Sequence, residues 1–281
     1  MNRSVCILGA GNMGRALVGG LLRSGTRPEQ LTVGEKSVAA RETLARDFGV
    51  SASADNALAA AGAAVVVLAV KPQDAVATLA GLAELFARQR PLVVSVAAGV
   101  RIAALQSACG AGIGVVRAMP NRPALVGAGI TGLYAAGEVS PADRASAERV
   151  LGSVGETVWV PSEEALDVVT ALSGSGPAYF FLLAQLMAEA GERLGLEAPA
   201  ARRLARATLY GSGLLAQAAD CDLKRLRAEV TSAGGTTEAA VRVLEGADLR
   251  ATVAQALAAA AQRSRELAAA TAITATGARN S

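Results

Sequence analysis

Short runs of β-branched and aliphatic residues alternate, through the first half of the chain, with Ala- and Leu-rich stretches of three- and four-residue spacing. That alternation is the pattern of a parallel sheet covered by crossover helices. The spacing predicts strands at 5–8, 31–33, 65–70, 92–96 and 113–117. Each is nearly continuous in apolar residues, as expected when both faces of a sheet are covered. Runs at 130–134 and 157–160 are candidates to extend the sheet, with Ser140 capping a helix between them and Pro141 opening it. Beyond about Pro161 the β-branched runs stop, and Ala, Leu, Arg and Glu recur at helical spacing to the end. The second half therefore reads as all helical, with breaks at 174–177, 195–199, 218–222 and 232–235. The stretch 251–270 is low in complexity, but Ala is the best helix former, so it reads as one thin, closely packed helix; the chain from about Thr274 reads as a frayed end. The expected division is an α/β domain over 1–161 and an all-α domain over 162–281, with no Pro- or Ser-rich linker between them.

Composition narrows the chemistry. Of 281 residues, 52 % are hydrophobic, 18 % charged and 3 % aromatic, which implies an aliphatic core and is too apolar for a disordered chain. There is no histidine, which removes Ser-His-Asp hydrolysis, His-ligated zinc and His-assisted ketone reduction. Cys6, Cys109 and Cys221 form no CxxC and read as small buried hydrophobes in a reducing cytosol; no metal site is expected. The net charge of +3 comes from cations interspersed with acids rather than from a basic run, so no nucleic-acid partner is expected. The chain enters a strand almost at once, leaving no room for a signal peptide, and the apolar run 57–70 is shorter than the roughly 18 residues a membrane span needs. The expectation is a cytoplasmic protein without a membrane span.

Gly9-Ala10-Gly11-Asn12-Met13-Gly14 follows the first strand directly and precedes Leu17, Leu21 and Leu22 at helical spacing. This is a GxGxxG turn in its required context, the fingerprint of a Rossmann-type dinucleotide-binding domain. Gly9 permits the tight turn, Gly11 lets backbone approach a pyrophosphate, and Gly14 lets helix and strand pack closely, while N–H groups at the helix start bind the anion. The second strand ends in Glu35-Lys36-Ser37. An acid there takes the ribose 2′-hydroxyl of NAD(H), whereas a cation with a hydroxyl accepts the 2′-phosphate of NADP(H); both are present, so NADPH and NADH stay open as cofactors. Ser232-Ala233-Gly234-Gly235-Thr236-Thr237 runs into a short amphipathic helix. Its N–H groups and hydroxyls suit a small carboxylate, or equally a helix cap. Ser173-Gly174-Ser175-Gly176-Pro177 should kink a long helix, which serves either a site or a tight helix crossing.

Five segments together make the chain resemble the pyrroline-5-carboxylate reductases. They are Ile7 to Gly14, Ala69-Val70-Lys71-Pro72, Arg117 to Asn121, Ala171 to Tyr179 and Val230 to Glu238, in an order and spacing that cover nearly the whole chain. The resemblance implies hydride transfer from NAD(P)H to the C=N bond of Δ1-pyrroline-5-carboxylate, giving L-proline in the last step of proline biosynthesis. It implies that Ala69, Val70, Lys71 and Pro72 line the cofactor with Asn56, Ala97 and Ala98, joined to Gly9 through Gly14, Glu35 and Lys36. It further implies that Ser175, Ser232, Gly234, Gly235, Thr236 and Thr237 hold the substrate, and that Thr237 is the catalytic residue at the ring nitrogen. An all-α dimerisation domain is implied as well, in a homodimer or a ring of dimers. Two positions depart from the pattern: Ala233 stands where the family usually has proline, and Arg122 where a small hydroxyl residue commonly follows Met-Pro-Asn.

Composition and chemistry agree. A ring imine can carry its own proton, and the iminium is already electrophilic, so positioning and one hydrogen bond are enough without metal or imidazole. A ketone needs a stronger acid, and outside the cofactor segments the only lysine is Lys224. A 3-hydroxyacid dehydrogenase and a non-catalytic nucleotide-binding protein are the competing readings. Asp220 and Asp222 are further candidates to contact the substrate nitrogen.

Overall fold

The computed structural model describes residues 4–137, 139–218 and 222–277, with side chains as far as residue 270. Eight strands form one sheet: β1 (Val5–Leu8), β2 (Leu31–Gly34), β3 (Ser51–Ser53), β4 (Val65–Leu68), β5 (Leu92–Ser95), β6 (Val115–Met119), β7 (Gly129–Ala135) and β8 (Gly155–Trp159). Their order is β3-β2-β1-β4-β5-β6-β7-β8. The first six are parallel, β7 runs antiparallel to β6, and β8 is parallel to β7. The order of the first six strands is that of a doubly wound dinucleotide-binding fold, whose direction of winding reverses at β1 and β4 and opens a crevice at their carboxyl ends.

Alternation of side chains divides each central strand between two cores. Val5, Ile7, Val65 and Val67 face the helices Asn12–Arg23 and Pro141–Gly152, while Cys6, Leu8, Val66 and Leu68 face Pro72–Ala80 and Ile102–Cys109. Ser140 caps Pro141–Gly152 by accepting from the Asp143 N–H, as the Ser-Pro pair implies. Strand β3 was not expected, because Ser-Ala-Ser carries no β-branched residue; it pairs at the edge on backbone bonds alone. Strand β4 stops at Leu68, two residues earlier than the apolar run suggests, since Ala69 already turns to meet the glycine loop.

Cys6 and Cys109 are fully buried, and burial pushes both thiols up to about 12. A neutral thiol is a poor nucleophile. Native protein at pH 8 is expected to leave both unmodified by a thiol-reactive disulfide reagent, with full reaction only in denaturant. Labelling of either in the folded protein, located by peptide mass, would contradict their burial. Cys221 lies outside the described residues.

The strands end where the composition changes, but compactness draws a different line from the one at 161. The described residues to Gly174, together with those from Ala260 onward, form one unit, and Ser175–Ala259 form a second. Ionic bonds described below hold 163–167 and Ser264 to the sheet unit. In the second unit, Gly176–Arg193 and Ala198–Ala218 make a helical hairpin, followed by Leu223–Glu229, Thr236–Gly246 and the start of Leu249–Gly277. Among the described residues one helical run, Ala165–Arg193, is long and apolar enough to cross a membrane by length and composition alone. The sequence reading, which weighed only the unbroken run 57–70, passed over it. Phe180, Phe181, Leu183 and Met187 on it, with Tyr210 and Leu215 on the next helix, are exposed.

Candidate active site

The turn after β1 is built as its glycines require. Gly9 has φ +101°, and a Cβ there would stand 2.7 Å from the Ala69 carbonyl oxygen. Its N–H donates to the Gly34 carbonyl, and the Ala69 N–H donates to the Leu8 carbonyl, so three strand ends meet at this residue. A Cβ on Gly14 would overlap the Gly9 carbonyl oxygen and lie 3.5 Å from Ile7 Cγ2. Gly11, by contrast, has open space on its Cβ side. The helix Asn12–Arg23 begins there with no side-chain cap, so its first N–H groups face outward and fit a pyrophosphate.

The β2 end completes this cradle. Glu35 accepts from the Ala10 N–H at 2.9 Å and from the Ser37 N–H at 2.8 Å, which joins the phosphate turn to the next helix start. Arg41, which the sequence did not single out, donates to the carbonyls of Glu35 and Lys36, both at 2.8 Å. The Asn56 amide oxygen lies over Gly34 and, with Leu8 Cδ2, crowds the place a Cβ there would take. An open cleft of about 290 Å³ is lined by Lys36, Asp55, Asn56, Asp74, Thr78 and Leu82 among others. It lies at the carboxyl ends of β2 and β4, where the fold class seats a ligand.

Ala69, Val70, Lys71 and Pro72 form the link from β4 to the helix Pro72–Ala80, with Lys71 as N-cap and Pro72 in the first turn. Ala97 and Ala98 follow β5; Ala97 is buried and Ala98 exposed. Met-Pro-Asn ends β6, and Asn121 fastens it in two directions. Its amide donates to the Ser173 carbonyl at 3.2 Å and its oxygen accepts from the Ile130 N–H at 2.9 Å. Arg122 is exposed in a short 3₁₀ turn. The expected kink is a π-helical turn, Thr170–Gly174, where Ser173 donates back to the Val169 carbonyl. Ser175 opens the next helix without spending its hydroxyl on a cap.

The loop 232–235 belongs to the second unit. Gly234 takes φ +70°, and its N–H donates to the Glu238 carboxylate at 2.8 Å. The Gly235 N–H donates to the Ser232 carbonyl, and a Cβ on Gly235 would press 2.8 Å from Ser232 Oγ. Two of the N–H groups read as anion donors are therefore used within the loop. The donors that remain are those of the first turn of Thr236–Gly246, which have no intrahelical partner. Thr237 is half-buried beside them, while Ser232 and Thr236 are exposed. Asp222 caps Leu223–Glu229, one carboxylate oxygen accepting from the N–H groups of Lys224 and Arg225. Asp220 lies outside the described residues.

A buried ionic network was missed. Arg117 on β6, only 4 % exposed, pairs with Glu163 at 2.9 Å, and Glu163 also accepts from the Ile102 N–H at 2.8 Å. Asp167, wholly buried, accepts from Arg101 at 2.8 Å and from the Ser264 hydroxyl at 2.7 Å. Burial lowers the pKa of Arg117 and the Glu163 charge opposes that shift. The signal available in the sequence was the arginine inside an otherwise apolar strand, 113–117, which needs a buried acid.

Residues 163–267 match the family model for pyrroline-5-carboxylate reductase dimerisation, and residues 4–99 match that for NADP oxidoreductase, coenzyme F420-dependent. The chain is 44 % identical to the pyrroline-5-carboxylate reductase of Pseudomonas aeruginosa over 94 % of its length and 96 % of the relative's. It is 38 % identical to that of Pasteurella multocida, over 94 % of this chain and 98 % of that one. In structure it superposes on the Coxiella burnetii pyrroline-5-carboxylate reductase with a TM-score of 0.92 at 38 % identity, covering 95 % of this chain and 99 % of that one. The NADP-bound pyrroline carboxylate reductase of Plasmodium falciparum gives 0.79 at 27 % identity, covering 95 % and 98 %. With the glycine cradle, the β2–β4 cleft and the Ser232–Thr237 loop all in place, these full-length matches establish that the chain belongs to the pyrroline-5-carboxylate reductase family.

Proposed function

We infer that this protein reduces Δ1-pyrroline-5-carboxylate to L-proline with NAD(P)H, the last step of proline biosynthesis. The observation that carries the reading is the 44 % identity to a reductase of that name over nearly the full length of both chains. Bound NAD(P)H supplies the hydride. The chain holds it through the turn Gly9 to Gly14, with Glu35, Lys36, Asn56, the segment Ala69 to Pro72, and Ala97 and Ala98. Ser175, Ser232, Gly234, Gly235 and Thr236 surround the ring, and the first-turn N–H groups of Thr236–Gly246 take its carboxylate. Thr237 hydrogen-bonds the ring nitrogen and fixes which face of the C=N bond is presented. Because the iminium carries its own proton, that contact positions the substrate without a strong acid.

Purified protein is expected to oxidise NADH or NADPH only when Δ1-pyrroline-5-carboxylate is added. Thr237→Ala should lower kcat/KM by about 100-fold, the scale of losing one aimed hydrogen-bonding group at a reacting centre. If Lys224→Ala abolishes turnover and Thr237→Ala does not, the role given to Thr237 fails and a lysine acid, as a ketone reduction needs, comes into question.

Self-association follows from the dimerisation match, and the exposed apolar side chains of Gly176–Arg193 lie within the matched residues. We propose a homodimer as the minimum unit and a ring of dimers as the larger assembly. Light scattering at micromolar concentration should give at least twice the mass of the 28.1 kDa chain. A monomer would contradict the assignment. We place the protein in the cytoplasm, with small-molecule substrate and product and neither nucleic acid nor membrane as a partner.

A further inference from the structure

We propose that Glu35 is the cofactor-specificity residue of this chain and sets a preference for NADH over NADPH; the proposal rests on the reading that the chain uses one of the two. The carboxylate is not free to swing away from the β2 end. One oxygen accepts from the Ala10 N–H in the phosphate turn and the other from the Ser37 N–H, at 2.9 and 2.8 Å. A carboxylate offers about four acceptor sites, so each oxygen keeps capacity for a ribose hydroxyl after these bonds are made. It is thus preorganised as an acceptor at the strand end where this fold meets the adenosine ribose.

Cations that could receive a 2′-phosphate are few at this end. The guanidinium of Arg41 is turned onto the carbonyls of Glu35 and Lys36. Among the described residues lining the cleft, Lys36 is the sole cation, set against the carboxylates of Asp55 and Asp74. With Glu35 and Arg41 included, this end of the site holds three acids and two bases. A 2′-phosphate adds a charge of about −1.5 to −2 at neutral pH to that acidic balance, next to a pinned carboxylate. A ribose hydroxyl adds none, and donates to it.

Binding of 5′-AMP and adenosine 2′,5′-bisphosphate, measured by calorimetry, tests this without any turnover, so a failure here is distinct from failure of the substrate assignment. The wild type is expected to bind 5′-AMP about tenfold more tightly, and to show a similar ratio of kcat/KM for NADH over NADPH, on the scale of one charge-assisted hydrogen bond. Glu35→Gln should bring both ratios to unity or below, and Lys36→Ala should widen them by removing the free cation. Tighter binding of the bisphosphate by the wild type would overturn the proposal. So would ratios in Glu35→Gln equal to those of the wild type.

Discussion

Gly14→Ala is expected to abolish dinucleotide binding, weakening NADH by at least about 100-fold, or ~2.8 kcal/mol at 1.4 kcal/mol per tenfold. The added methyl overlaps the Gly9 carbonyl oxygen and stands 3.1 Å from its carbon, so backbone must move and no flexible side chain can absorb the strain. The movement separates the helix start from the turn that presents the outward N–H groups. Gly11→Ala is the informative partner. Its φ of −66° suits any residue and its Cβ meets nothing within 4 Å, so the fold is expected to keep its melting temperature. The methyl nonetheless occupies the side from which a pyrophosphate approaches, and NADH affinity should fall about tenfold. Fluorescence titration with NADH beside thermal melts separates the two variants. Wild-type affinity in Gly14→Ala would remove the cofactor's phosphates from this turn.

The geometry of the β1 turn and the β2 end was legible because its glycines do a steric job that sequence spacing reports. Strand, glycines, helix and the Glu35-Lys36-Ser37 end all fall within one βαβ repeat, and the structure sets them around one crevice. What spacing could not report was that the Glu35 carboxylate is held by the Ala10 and Ser37 N–H groups, or that Arg41 is tied to the carbonyls of Glu35 and Lys36. The Ser232–Thr237 loop was legible as a Gly-rich helix start, but that the Gly234 N–H is taken by Glu238 emerges only from the folded turn. Composition changes where the strands end, whereas compactness follows Glu163, Asp167 and Ser264, three polar residues whose partners lie 46 to 97 positions away. A helix face that buries an acid looks, in sequence, like any solvated face.

Asp167→Ala is expected to destabilise the fold strongly although it lies outside the glycine turn and its cleft. Asp167 is wholly buried, and its two oxygens accept separately from Arg101 and from the Ser264 hydroxyl, itself only 7 % exposed. Removing the carboxylate leaves a guanidinium that already has one buried nitrogen without a partner, and a hydroxyl with no acceptor. Breaking a buried pair costs about 3–5 kcal/mol, and the lower end applies here because Arg101 keeps a quarter of its side chain in solvent and can rehydrate. That corresponds to a fall in melting temperature of roughly 6 °C or more for a chain of this size. The double variant Arg101→Ala/Asp167→Ala distinguishes a lost pair from a lost volume. With no uncompensated guanidinium left behind, it should recover part of the stability that Asp167→Ala loses. If the double variant is less stable than the single by the full cost of Arg101→Ala in the wild-type background, the two side chains are energetically independent. Their ion pair would then contribute nothing to holding the 163–167 segment and the helix around Ser264 to the sheet.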